Sequence, residues 1–329
     1  VGLLSAAQFI ALIVHIASGG MSSGGAGSGG SDRDLTTVPV GASAVPAERS
    51  LDAYAGYGTW VDVYDYAPAM QGSGRGPEVT PDDVDEMADL GVRTLYLQAA
   101  NDHARTPGPV VDESLVGEFL TRAHERDVRV VGWYLPRFGD TARDLSFLEG
   151  ISTFEVDGHR FDGVAVDIEW TRSVPNARER SERLVDLSTR LRDEVGDEPL
   201  GAIVLPPVQL EDVNRRMWPR FPWEELAPLY DVWLPMGYWT DRRASSGWRD
   251  ASRYTIENAT RVRANLGDED AAVHVIGGIG HDASAADMTR FVAAAVEVDA
   301  QGASVYDWAS LSREERGHLR DVVAEAVAG

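Results

Sequence analysis

The chain has 329 residues, 43% of them hydrophobic, enough for one large domain or two medium ones. Its formal net charge is -23, and all 30 of its basic residues are arginine. Without lysine or cysteine, Schiff-base and pyridoxal phosphate chemistry, lysine P-loops, thiolate catalysis, disulfides and cysteine metal sites are excluded, and so negative a field repels nucleic acid.

Residues 1–18 (VGLLSAAQFIALIVHIAS) are apolar and carry no Asp, Glu or Arg. Their length falls between a signal-peptide core and a short membrane span. A Gly/Ser run (GGMSSGGAGSGGS) opens residues 19–50, a flexible linker with nothing to bury. Together they predict a signal peptide or membrane anchor followed by a tether, hence a secreted or membrane-anchored extracellular protein. Ala42-Ser43-Ala44 is a small-residue cleavage site of the kind such leaders use.

From residue 51 to the end, short β-rich runs alternate with amphipathic helical runs. Strands are expected at 59–66, 92–98, 128–135, 163–169, 201–205, 232–238, 273–278 and 303–308. Helices are expected at 81–90, 115–126, 177–195, 248–266, 285–298 and 312–328. Thr80-Pro81-Asp82-Asp83 has the composition of a helix start: a capping hydroxyl, proline in the first turn and acids at the positive dipole end. Leu90-Gly91 and Leu266-Gly267 have that of helix stops.

Strand and helix alternating at this spacing require a parallel sheet. Eight such units fit a single-domain closed (β/α)8 TIM barrel of ordinary size, ~250 residues. An open doubly wound sheet would want a glycine-rich phosphate turn after its first strand, and Asp65-Tyr66-Ala67-Pro68 is not one. Active sites of barrels sit at the carboxyl ends of the strands, where Asp65, Gln98, Trp133, Glu169, Tyr238 and Trp308 all fall.

The most informative stretch is Phe161 to Trp170 (FDGVAVDIEW). Side chains alternate along a strand, so Ala165, Asp167 and Glu169 share one face, the two acids ~6.6 Å apart at the Cα atoms. Two carboxylates at the end of an apolar strand disfavour each other's ionisation and both lose water. That cost is tolerated where a proton donor must stand beside an anion, so Asp167 and Glu169 form a candidate acid/base pair. The alternative, a structural anchor for arginines at the barrel top, carries the same desolvation cost.

This strand resembles that of the family 18 glycoside hydrolases, chitinase-like (β/α)8 enzymes with Asp-Gly-x-Asp-x-Asp-x-Glu on strand four. Asp162, Gly163, Asp167 and Glu169 match, and Ala165 stands where an acid belongs. The family's sixth strand ends in Met-x-Tyr-Asp; Met236-Gly237-Tyr238-Trp239 keeps Met and Tyr and replaces the acid with Trp239. Trp308 is similar in position to the tryptophan that floors the sugar subsite at the end of strand eight. The resemblance implies retaining, substrate-assisted hydrolysis. In it Glu169 protonates the glycosidic oxygen, the substrate's acetamido oxygen attacks the anomeric carbon, Asp167 orients that group and Tyr238 hydrogen-bonds the forming ring. The two replaced acids bear on N-acetyl recognition more than on acid catalysis.

A two-carboxylate glycosidase needs a partner acid from another strand. Asp65 and Asp307 are the available acids, and alternation turns Asp307 away from the interior if Trp308 faces it, which leaves Asp65. Trp133, Tyr134, Trp239 and Trp308 suit sugar faces, although large aromatic side chains, like Met236 and Tyr238, equally serve as barrel core. The third reading is a catalytically silent carbohydrate-binding barrel. Gly277-Gly278-Ile279-Gly280 reads as a tight loop rather than a phosphate site. The histidines have no metal-binding spacing, so neither metal nor cofactor is expected. The expected partner is a polysaccharide or oligosaccharide, and the protein is expected to be a monomer.

Overall fold

The computed structural model describes residues 50–72 and 76–328. Residues 1–49, which hold the expected leader, most of the expected linker and the expected cleavage site, lie outside them. Among the described residues, no helix is long and apolar enough to cross a membrane.

Eight parallel strands close into a barrel: β1 (Gly56–Val61), β2 (Thr94–Gln98), β3 (Arg129–Tyr134), β4 (Gly163–Ile168), β5 (Leu200–Val204), β6 (Val232–Pro235), β7 (Ala272–Ile279) and β8 (Gly302–Tyr306). Each strand pairs with its sequence neighbour, and β1 pairs with β8. The helices that follow strands β1 to β8 in turn are α1 (Asp83–Asp89), α2 (Glu113–Glu125), α3 (Thr141–Thr153), α4 (Ala177–Val195), α5 (Trp223–Leu226), α6 (Ala251–Leu266), α7 (Ala285–Glu297) and α8 (Arg313–Ala328). This is the (β/α)8 TIM barrel expected from the alternation.

Local chemistry sets most helix ends. Asp112, Asp140, Asn176 and Asp250 each accept backbone N–H groups at the starts of α2, α3, α4 and α6, and Ser284 with Asp287 forms a capping box at α7. Gly91 and Gly267 lie in the left-handed region beyond α1 and α6, at φ 80° and 68°. Thr80 does not cap α1 as expected. Its N–H and hydroxyl both donate to Asp83 (2.8 and 2.9 Å), and the helix begins after Asp82. The expected helix list lacked α3 and the single turn α5.

The amino-terminal end of the barrel is plugged by Tyr54, whose hydroxyl donates to the carbonyl of Val164 at 2.7 Å. A Cβ on Gly201 would stand 2.7 Å from the Tyr54 ring, and one on Gly163 would stand 2.9 Å from its hydroxyl. These glycines are where the plug needs room. Their position also shows which face of β4 is inward: Gly163, and by alternation Ala165 and Asp167. A solid layer follows above. Trp60 stacks on Tyr96 with ring centroids 4.3 Å apart and donates to Ser304 at 2.8 Å, while His274 bridges Ser304 and Tyr96 at 2.9 and 3.1 Å. Burial pushes His274 down to about 4, so it is neutral. The floor of the mouth is thus rigid and filled.

Candidate active site

The carboxyl end of β4 delivers Asp167 and Glu169, 7% and 6% exposed, to the mouth of the barrel. Burial raises the pKa of both. Glu169 rises to about 7, and the neighbouring Glu169 adds to the upward shift of Asp167. The pair therefore holds a proton near neutrality. Oδ1 of Asp167 is buried and has no hydrogen-bond partner.

β6 ends at Pro235, sooner than expected, and Met236 continues only as a bridge to Ile276 on β7. Gly237 then lets the chain turn so that Tyr238 reaches the mouth. Burial raises the pKa of Tyr238, and the charges of Glu169, Asp167, Asp241 and Asp307 raise it further. Tyr238 is therefore a neutral phenol that feels acids on two walls of the mouth. Asp241, three residues beyond it, is an acid the sequence reading passed over.

Asp65 does not end a strand. β1 stops at Val61, and residues 62–66 coil into a helical turn whose capping box is built from Asp62 and Asp65. Asp62 is the true strand-end acid. It accepts from the Tyr64 N–H at 2.7 Å and from the Tyr306 hydroxyl at 3.0 Å, while Asp65 accepts from the Asp62 N–H at 3.0 Å. Asp307 joins them, contrary to the expectation that it would point at the helices. Alternation ended with β8 at Tyr306, and Asp307 is held by the Ser310 N–H at 2.8 Å. One oxygen from each of Asp62, Asp65 and Asp307 lies within 4.8 Å of the others, a span that suits a bound cation. Burial and mutual repulsion raise Asp62 to about 7 and Asp65 to about 10, and burial raises Asp307 as well.

The aromatic expectations need correction. Trp308 is 1% exposed and lies under the Arg316 guanidinium of α8, 3.7 Å from its ring centre. Trp239, also 1% exposed, packs on Phe291 of α7, and Tyr134 points outward to Asp144 and Phe147 of α3. None of these has an open face for a sugar ring. Trp133 does face inward, 6.0 Å from Trp60, but it too is closed over, and its Nε1 is buried without a partner. Trp170, next to Glu169, is half-buried rather than fully buried, and the guanidinium groups of Arg137 and Arg172 lie 5.3 and 5.7 Å from its ring centre. Its position directly after the acid was the signal for it.

Asp162, which matched the family motif, works at the other end of the barrel. It accepts from the Val130 N–H at 2.7 Å and from His124 at 3.0 Å, and His124 meets His159 at 2.8 Å. Two of the scattered histidines are therefore neighbours after all. The residues 277–280 form the end of β7 and the turn after it.

No protein-family model matches the chain, and no curated protein resembles it in sequence. Solved structures do resemble it in fold. An endo-β-1,4-mannanase from Thermotoga petrophila superposes with TM-score 0.58 at 11% identity, over 84% of this chain and 77% of that one. A family 1 β-glucosidase from Thermotoga maritima gives 0.57 at 9% identity over 85% and 99%, and the spore cortex-lytic enzyme SleL from Bacillus megaterium gives 0.53 at 9% over 84% and 75%. At such identities the likeness is one of fold, the (β/α)8 barrel.

Proposed function

We propose that the protein is a glycoside hydrolase acting on an oligosaccharide or polysaccharide. The observation that carries this reading is the buried Asp167/Glu169 pair, which enters the mouth from the carboxyl end of β4 with one acid oxygen unpartnered. Such a pair is costly unless its proton is used. Glu169 gives that proton to the glycosidic oxygen as the anomeric C–O bond breaks, Asp167 shares and replenishes it, and the neutral Tyr238 hydroxyl donates to the reacting sugar. The similarity of the barrel to a mannanase and a β-glucosidase supports the same class of reaction. The apolar leader and Gly/Ser run extend the proposal to export or tethering outside the cell.

For the group that meets the anomeric carbon there are two readings. Resemblance to the chitinase-like family favours the substrate's acetamido oxygen. The placement of Asp62, Asp65 and Asp307 together at the mouth favours a protein carboxylate or a water that it activates. Hydrolysis of paired oligosaccharides with and without N-acetyl groups, by the unaltered protein and by Glu169→Gln, tests the proposal. Cleavage that Glu169→Gln abolishes upholds it, and binding without cleavage turns the reading to a carbohydrate-binding barrel. A demand for the acetyl group selects the first mechanism, and cleavage without it the second.

A further inference from the structure

We infer that the mouth is built for a sugar bearing a free, protonated amino group; this deepens the glycosidase reading and rests on it. Two sets of carboxyl groups lie at this end of the barrel, Asp167 and Glu169 from β4 and the close trio Asp62, Asp65 and Asp307 from the ends of β1 and β8, all within a tenth of full burial. Tyr238 senses both sets, because Glu169, Asp167 and Asp307 all act on its hydroxyl. Tyr306 ties the second set to the first, with its hydroxyl on Asp62 and its ring 5.8 Å from that of Tyr238.

Elsewhere this protein matches acids with arginines, as in Arg192–Asp231 and Arg261 with Glu211, Asp212 and Glu257. None of the five mouth acids has a salt bridge among the described residues. The charged groups around them include Arg137 and Arg172, which lie over the ring of Trp170 beside Glu169, with Arg137 also acting on Tyr64. Glu78 adds repulsion at Asp65, Asp241 lies near Tyr238, and His281 is a cation when protonated, near Asp307 and largely exposed. Arg242 is turned to the Tyr238 carbonyl and the Gln209 side chain.

Two further atoms independently call for a ligand. Oδ1 of Asp167 and Nε1 of Trp133 are both buried and unpartnered, on residues 93% and 97% covered that face inward from adjacent strands. One accepts and the other donates. An ammonium group offers only donors, which the carboxylates accept, while a sugar hydroxyl can accept from the indole. Seating a cation among these acids replaces protons with a fixed positive charge and removes the repulsion. A neutral sugar would leave it in place, and an N-acetyl group would exchange the cation for a neutral amide. A free amine also has no acyl oxygen with which to attack, so this substrate belongs with the two-carboxylate reading.

The test uses the full chain and three oligosaccharide sets of equal length: glucosamine or galactosamine oligomers with free amines, their N-acetylated forms, and neutral gluco- and manno-oligomers. Calorimetric affinities are measured with Glu169→Gln, and cleavage with the unaltered protein. The free-amine oligomers should bind at least tenfold more tightly than the other two sets. That preference should shrink at high salt, and also as pH rises and the amine loses its proton. Asp307→Asn, with its fold checked by circular dichroism, should erode the preference by weakening binding of the free-amine set more than that of the neutral set. Equal or tighter binding of the acetylated or neutral set overturns the inference. Cleavage of those sets would then leave the glycosidase reading standing, whereas amine-selective binding with no cleavage of any set supports the inference and sinks that reading.

Discussion

Tyr306 donates its hydroxyl to Asp62 across 3.0 Å, joining the end of β8 to the end of β1 where the barrel closes. The bond helps keep Asp62, lifted to about 7 by burial and by Asp307, from rising further. Tyr306→Phe should cost roughly 0.5–1.5 kcal/mol of stability, the net worth of one buried hydrogen bond. It should also move the titration of Asp62 upward. Urea denaturation and carboxyl-resolved NMR titration measure the two effects.

The mouth acids should make the protein less stable as pH rises. Asp62 and Glu169 titrate at about 7 in the folded chain and Asp65 at about 10, all above their unfolded values of roughly 4. Between those limits the native state binds more protons than the unfolded one, so the unfolding free energy falls with pH from about 4 to 7 and, through Asp65, beyond. Asp65→Asn should preserve the acceptor for the Asp62 N–H and remove the buried charge. Denaturation midpoints should therefore match the unaltered protein at pH 4 and exceed it at pH 9.

Activity should follow the protonated state of the β4 pair. With Glu169 near 7, the rate of glycoside cleavage should decline as pH rises past about 7. Glu169→Gln should lower kcat by roughly 10²–10⁴-fold with the melting temperature unchanged or higher. Asp167→Asn should lower it less and leave the alkaline limb near 7, because burial is what lifts Glu169. Steady-state kinetics from pH 4 to 9 gives both results.

Gly201→Ala should destabilise the fold by roughly 1–3 kcal/mol, the usual cost of overpacking. The added methyl group would stand 2.7 Å from the Tyr54 ring and 3.0 Å from Leu234, both buried. Gly158, where a Cβ would meet nothing, controls for crowding as opposed to backbone freedom, since its φ is +82°. Thermal unfolding of the two alanine variants separates these causes: Gly201→Ala unfolds early from crowding, and Gly158→Ala loses only the smaller cost of a strained turn.

A net charge of -23 should make stability depend on salt. Raising ionic strength from about 0.1 to 1 M shortens the Debye length from ~10 to ~3 Å and screens the repulsion between exposed acids. The melting temperature should rise across that range, with NaCl and KCl alike. Melting curves in the two salts check it.

How much was legible in the chain itself depends on where each residue lies relative to the last ladder hydrogen bond. The alternation of short apolar runs and amphipathic runs required a parallel barrel, and helix 177–195 has the bounds expected of it, with Asn176 capping its start and Gly196 at its end. The inward face of β4 was equally readable, since the period of two holds wherever the strand is paired. Beyond the pairing it fails. Asp65 looked like a strand-end acid, yet the chain had already coiled at Asp62, and the capping box made of those two acids spans four residues that a strand pattern would read straight through. Asp307 was turned the wrong way and Trp308 the other, because after Tyr306 direction is set by Ser310 and by Arg316 from α8. Trp239 filled the space beside Phe291, on a helix some 50 residues later. Local periodicity, caps and composition are properties of the chain, and they decided the architecture and the Asp167/Glu169 pair. Which acids gather at the mouth was decided by packing between segments far apart in sequence, and only the closing of β1 on β8 brought Asp62, Asp65 and Asp307 together.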